Sequence, residues 1–200
     1  MNVQILFPLL FLSAALGLVF LKALYNWIYY FPGRTENEVI PYLRSVDMEN
    51  VKDMLNLSQE GYLRLNLSAG SFRMEQRRRI ALTLEYYGRM GHNAGLLSEW
   101  ANTESRKSWK TGNREANASS RELLNNCIEF RIHIYLMRIR LHAWLFRIRA
   151  LPFIPVPLLA EARRIGSFDL VYSYEQIRQA AEKLSRACGS ACQNELAQGM

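Results

Sequence analysis

Apolar residues dominate the first thirty-one positions of the chain. No charged side chain occurs from Ile5 to Leu21, and the apolar run resumes after Lys22 and continues to Phe31. A mostly apolar stretch of about 18 residues or more is typical of a membrane-spanning helix. The pattern therefore predicts a transmembrane anchor over residues 1–31.

The flanks of this run favour a retained anchor over a cleaved signal peptide. A signal peptide carries a basic segment before its apolar core, and no Lys or Arg precedes Lys22. Ser13-Ala14-Ala15 resembles a cleavage site, but the apolar run continues through it. Aromatic rings gather at the far end of the run, as at a membrane–water interface, and a lysine side chain can extend to the same boundary. The predicted interface residues are Lys22, Tyr25, Trp27, Tyr29 and Tyr30.

Basic residues beside the run set its expected orientation. Lys22, Arg34 and Arg44 follow the apolar core, whereas its N-terminal flank has no Lys or Arg. Cytoplasmic flanks are the ones enriched in Lys and Arg. We therefore expect a single-pass protein with its N-terminus outside and its C-terminal domain in the cytoplasm.

Helical periodicity replaces the apolar run after residue 31, so residues 32–200 are expected to form a soluble, mostly α-helical bundle. Its predicted main helices cover residues 71–102, 120–150 and 173–188. The first has a single apolar stripe, formed by Ile80, Thr83, Tyr87, Met90, Ala94, Leu97 and Ala101. Residues 58–70 fit either a loop or a strand. The polar residues 102–119 are expected to form an internal loop.

The predicted 120–150 helix is apolar on two opposite sides. One side holds Ile132, Tyr135, Leu136, Ile139 and Phe146, and the other holds Ile134, Met137, Leu141, Trp144, Leu145 and Ile148. Arginines and histidines separate the two sides. A helix of this kind is expected in the middle of a bundle, between two partners. The alternative is a helix that lies along a membrane surface, which needs one polar side instead.

The net charge of +7 belongs almost entirely to the part after the anchor. A basic domain held at a bilayer is attracted to an anionic leaflet. The densest basic run, our candidate anion or lipid contact, consists of Arg73, Arg77, Arg78 and Arg79. These arginines spread around the predicted helix, so a solvated surface is the competing interpretation. Nucleic-acid binding is disfavoured because no aromatic side chains alternate with the run.

Candidates for catalysis and metal binding are weak. His92 and Glu99 lie seven residues apart, about two helical turns, which is too far for a direct hydrogen bond. Cys188 and Cys192 form a C-x-x-x-C pair with no further ligands nearby except Glu195, so we interpret them as unpaired thiols. The sequence thus predicts no catalytic, cofactor-binding or metal site and no enzyme.

Two functional hypotheses follow from these features. The first is a non-enzymatic, membrane-tethered interaction or scaffold protein, with membrane lipid and either another protein or further copies of itself as partners. The alternative is a basic module that binds lipid or anions at the inner membrane surface.

Overall fold

The computed structural model describes residues 33–151 and 155–189, together with Leu18, Val19 and Lys22. The chain divides into two compact units, Met1–Pro32 and Gly33–Met200. The predicted anchor falls almost wholly outside the described residues. In the part of the chain that the structure describes, no helix combines the length and the apolar character that crossing a bilayer requires.

The second unit is mostly helical. Its elements, in chain order, are α1 (Glu36–Val39), a 3-10 turn (Ile40–Tyr42), α2 (Met48–Met54), α3 (Leu57–Asn66), α4 (Ala69–Thr111), α5 (Arg114–Ala150), a second 3-10 turn (Leu159–Arg163), β1 (Arg164–Ile165), β2 (Phe168–Asp169) and α6 (Leu170–Ala187). The two strands form a small antiparallel hairpin. The prediction of a mostly α chain with a helical bundle is confirmed.

Helices α4, α5 and α6 pack as an antiparallel bundle. Near the start of α4, Arg77 donates a hydrogen bond to the carbonyl of Ile148, near the end of α5 (2.9 Å). Near the end of α6, Lys183 pairs with Glu122, near the start of α5 (2.6 Å). Helix α5 therefore lies against both of the other long helices.

The core follows the predicted helix periodicity. All seven residues of the predicted α4 stripe, from Ile80 to Ala101, are fully buried. On α6 the apolar residues at helical spacing are likewise buried and consist of Ile177, Ala180, Ala181 and Leu184. Helix α5 ends at Ala150, two residues before the first of three closely spaced prolines, Pro152, Pro155 and Pro157, and proline disfavours continuation of a helix. Apolar spacing therefore identified the contacting faces of α4 and α6 correctly.

The predicted internal loop over residues 102–119 is wrong. Helix α4 continues to Thr111 and α5 begins at Arg114, so a two-residue turn joins them. Gly112 ends α4 in the left-handed conformation at φ +72°, and the side chain of Asn113 caps α5 by accepting a hydrogen bond from the Ala116 amide (3.1 Å). Charged residues such as Arg, Lys and Glu are good helix formers, so a polar sequence did not imply a loop.

Replacement by alanine is expected to have opposite effects on stability at two glycines, one in this turn and one within α4. Replacing Gly112 by alanine should lower the free energy of unfolding by about 1 kcal/mol, because a Cβ atom is unfavourable at positive φ. Gly88 lies within α4 with open space around its Cα, so its replacement by alanine should raise stability by about 0.5–1 kcal/mol. Urea unfolding of the full chain in detergent would measure both. Equal effects of the two substitutions would contradict the assigned turn.

Two further boundaries differ from the sequence prediction. Residues 57–66 form helix α3 rather than a loop or strand; the alternation of leucines there does not reflect burial, since Leu65 is 87% exposed. Helix α6 begins at Leu170 rather than Ser173. Its cap is Asp169, which accepts hydrogen bonds from the Val171 and Tyr172 amides.

Candidate functional site

The predicted basic run divides between the interior and the surface. Arg79 is buried and donates to the carbonyl of Met54, at the end of α2. Arg77 is half-buried and donates to Ile148, in the last turn of α5. Carbonyls at helix ends lack partners within the helix, so these arginines join elements of the fold. Arg78 is exposed and Arg73 is half-buried. The interpretation of the run as an entirely solvated surface is therefore wrong, while an anion or lipid role stays a prediction.

His92 and Glu99 are engaged by different segments. The Nε2 atom of His92 lies 3.1 Å from the carbonyl of Tyr42 and donates to it. Glu99 pairs with Arg34 at 3.1 Å. Burial raises the pKa of Glu99, and the nearby charges of Arg34 and Arg131 oppose that shift. The structure does not bring the two side chains together as an acid–base pair.

Asn93, next to His92, is a fully buried polar residue with three hydrogen bonds. Its Oδ1 atom accepts from the Arg44 amide (2.9 Å), and its Nδ2 atom donates to the Arg44 carbonyl (2.8 Å) and to the Tyr174 hydroxyl (2.8 Å). Burial raises the pKa of Tyr174 to about 12, so this hydroxyl stays protonated at neutral pH. Asn93 therefore holds the extended segment between α1 and α2 against α4 and α6.

Glu60 is a buried acidic residue that was not among the predicted site residues. It is fully buried on α3, where its Oε1 atom accepts from the Leu159 amide (2.7 Å) and its Oε2 atom from the Ala160 amide (3.0 Å). Gln76 of α4 donates a further bond to Oε1. A carboxyl group at the start of the second 3-10 turn supplies the cap that this turn otherwise lacks. The arrangement is structural, since all its partners are backbone amides and one glutamine.

The described thiols are poor nucleophiles. Cys127 is fully buried, and burial raises its pKa to about 12. Cys188 has its Sγ atom 3.9 Å from Oε2 of Glu104. Partial burial and the charges of Glu104 and Glu36 raise the pKa of Cys188 to about 11. Cys192 lies outside the described residues, so the C-x-x-x-C pair stays untested.

We expect slow alkylation of Cys188. The reactive species is the thiolate, and a pKa of about 11 lowers the thiolate fraction at pH 8 by about two orders of magnitude relative to a free cysteine. In a Cys192→Ser background, Cys188 should react with iodoacetamide slower by about that factor than a cysteine placed at the exposed Gln179. Mass spectrometry would follow both rates, and Glu104→Gln should accelerate Cys188. Equal rates at positions 188 and 179 would contradict the assigned environment.

Within the described ranges, no group of three or more His, Cys, Asp or Glu side chains could hold a metal ion.

Asn117-Ala118-Ser119 matches the N-glycosylation sequon and lies inside α5. Asn117 is half-buried and accepts a hydrogen bond from the Ser105 hydroxyl (3.3 Å). The Asn117 side chain therefore takes part in the contact between α4 and α5.

The two apolar sides of helix α5 differ in their burial. The side facing the bundle is buried, as predicted, and includes Ile134, Met137, Leu141, Trp144 and Ile148. The opposite side is exposed, so the prediction that both apolar sides contact partners within the bundle is wrong. Helices α4 and α6 both contact α5 across its buried half, and the second apolar side is largely exposed in the part of the chain that the structure describes.

We call this exposed side the outer face of α5 and define it by Ile132, Leu136, Ile139 and Phe146. Their exposed fractions are 36%, 49%, 51% and 71%. The spacing of four, three and seven residues places them in one line along the helix. Single exposed apolar residues are ordinary, whereas a continuous apolar patch marks an interaction surface.

Basic side chains border the outer face on both sides. Arg140 and Arg147 lie along one edge, and Arg138, His142 and Arg149 along the other; all five are exposed. No Asp or Glu occurs in α5 after Glu129. Arg140 pairs with Glu161 at 3.0 Å, and Arg147 donates to the Pro155 carbonyl at 3.5 Å. The outer face is therefore an apolar line between two basic edges.

The predicted interface residues fall in the first unit. Lys22 is helical and exposed, and Tyr25, Trp27, Tyr29 and Tyr30 lie outside the described residues. Their assignment to a membrane interface stays a prediction.

Comparison of this chain with models of protein families, with curated proteins and with solved structures found no match.

Proposed function

We propose that this protein is a single-pass membrane protein whose helical bundle acts as a non-enzymatic interaction or scaffold module. The observation that carries the proposal is the apolar run over residues 1–31, in which Lys22 is the one charged side chain, since a span of that length and composition is typical of a membrane helix. In the proposed orientation the N-terminus is outside and the bundle is cytoplasmic.

The contacts of the reactive side chains support the non-enzymatic part. His92, Glu99 and Cys188 each contact a different segment of the fold. Acid–base catalysis needs groups within hydrogen-bond reach of one another or of a common reacting atom. The buried Glu60 and Asn93 instead direct their polar atoms at backbone groups.

Membrane extraction with alkaline carbonate tests the anchor. The full chain should stay in the membrane pellet, and the double substitution Leu10→Arg and Leu16→Arg should move it to the supernatant, because each buried charge opposes insertion by about 3 kcal/mol. Lys22→Arg is the matched control and should stay in the pellet. Release of the unsubstituted chain by carbonate would overturn the proposal.

The alternative, a basic module that binds lipid or anions at the inner membrane surface, is favoured by the basic edges of the outer face of α5. It requires the bundle itself to contact the bilayer. The two functions are compatible, since an anchored bundle can also contact lipid.

A further inference from the structure

We propose that the outer face of α5 docks on the anionic lipid surface of the membrane, with its apolar line inserted at the level of the headgroups. The inference rests on the proposed function, which places the bundle beside a bilayer, and it identifies the partner of one face of that bundle.

The pattern along α5 fits an interfacial helix. Such helices lie in the plane of the membrane with apolar residues directed inward and Lys or Arg at the edges. From Ile132 to Phe146 the outer face extends over about 21 Å. A lone helix with two apolar sides has no polar side to face the water when it lies on a membrane. In this fold the side opposite the outer face is buried against α4 and α6, so the outer face is the apolar side that can contact the membrane.

The positive charge along the edges of the outer face favours anionic lipid over a second copy of the chain as its partner. The apolar residues Ile132, Leu136 and Ile139 have a spacing that would also suit a helix–helix seam. A symmetric contact through this face would bring the basic edges of two copies together, and like charges oppose such a contact. An anionic leaflet supplies the complementary charge along the whole line.

Structural roles account for only part of the basic edges. Arg147 and Arg149 lie in the last turn of α5, where the helix dipole favours positive charge. Arg138 lies about three turns before that end, too far for this effect. Arg140 forms an ion pair with the carboxylate of Glu161, and it is the one residue of the two edges that does so among the described residues.

A polarity-sensitive probe on the full chain tests this docking. The Ile139→Cys variant, in a Cys188→Ser, Cys192→Ser background, would be labelled with nitrobenzoxadiazole. The Gln179→Cys variant, on α6 in the same background and labelled in the same way, is the control. Each protein would be reconstituted into vesicles of phosphatidylcholine alone or mixed with phosphatidylglycerol. We expect about a threefold rise in emission at position 139 in the anionic vesicles, reversed by high salt, and no change at position 179.

Charge-reversal variants test whether docking depends on the basic edges or on the net charge of the chain. Arg138→Glu with Arg149→Glu should abolish the rise in emission at position 139. Arg106→Glu with Arg121→Glu changes the net charge equally at two other exposed positions and should preserve the rise. Circular dichroism of each variant would show that the bundle remains folded.

The other outcomes distinguish the two proposals. If the chain floats with both kinds of vesicle but position 139 does not respond, the docking is wrong and the anchor stands. If the chain does not float with neutral vesicles, the anchor is wrong. A response at position 139 that appears in neutral vesicles and grows with the protein-to-lipid ratio would assign the face to a second copy and overturn the docking.

Discussion

Replacing Glu60 by alanine is expected to lower the free energy of unfolding by about 3 kcal/mol. The substitution removes the carboxylate to which the Leu159 amide, the Ala160 amide and the Gln76 side chain donate. Each buried hydrogen bond that is lost costs about 1–3 kcal/mol. Glu60 is also the one buried residue of α3, so its loss should release that helix from α4 and from the second 3-10 turn.

Urea unfolding of the full chain in detergent, followed by circular dichroism, would measure this effect. Glu129→Ala is the matched control, because Glu129 is exposed on α5 and its removal should change stability by less than about 0.5 kcal/mol. Glu60→Gln should lie between the two, since it keeps one acceptor but points an amide group at other donors. A loss below about 1 kcal/mol in Glu60→Ala would contradict the assigned role.

Asn93→Ala is expected to destabilise the chain by a similar amount, about 2–4 kcal/mol. The buried amide side chain pairs with both backbone groups of Arg44 and with the Tyr174 hydroxyl, and alanine leaves all three without partners. Tyr174→Phe removes a single one of these bonds and should cost only about 1 kcal/mol.

Amide hydrogen exchange would locate the effect of Asn93→Ala. The amide of Arg44 should lose protection, while amides in the middle of α5 should change only with global stability. Asn125→Ala, at an exposed position of α5, is the control and should be close to neutral. Unchanged protection at Arg44 would contradict the proposed clamp of Asn93 on this segment.

Periodicity in the sequence identified the helices because each long helix buries one stripe. The α4 stripe from Ile80 to Ala101 and the α6 stripe from Ile177 to Leu184 are apolar at helical spacing, and all of their members are buried. The turn between α4 and α5 was missed because its surroundings are polar. Gly112 followed by Asn113 is nevertheless the pattern of a helix stop and a helix start.

Long-range polar contacts could not be read from the sequence. Glu60 and Leu159 are 99 residues apart, and nothing around Glu60 distinguishes it from a surface acid on a short helix. Arg79 is likewise buried through its bond to Met54, although its neighbours Arg77 and Arg78 made it look like part of a surface run. Such contacts depend on how the helices meet, which local spacing does not specify.

The two apolar sides of α5 illustrate the same limit for the candidate site. The sequence showed both sides, but only the packing of α4 and α6 determined that Ile134 and Met137 lie inside and Ile139 and Phe146 outside. The interfacial alternative was disfavoured for a lone helix. Because the other apolar side is covered by α4 and α6, we propose it here for the outer face alone.

Protease protection in intact cells tests the central claim, a bundle held at the cytoplasmic side of a membrane, most directly. The full chain would carry a different epitope tag at each end, and protease would be added outside the cells. We predict that the N-terminal tag is removed while the C-terminal tag stays bound to the membrane fraction and protected. Protection of both tags together with recovery of the chain outside the membrane fraction would contradict the account.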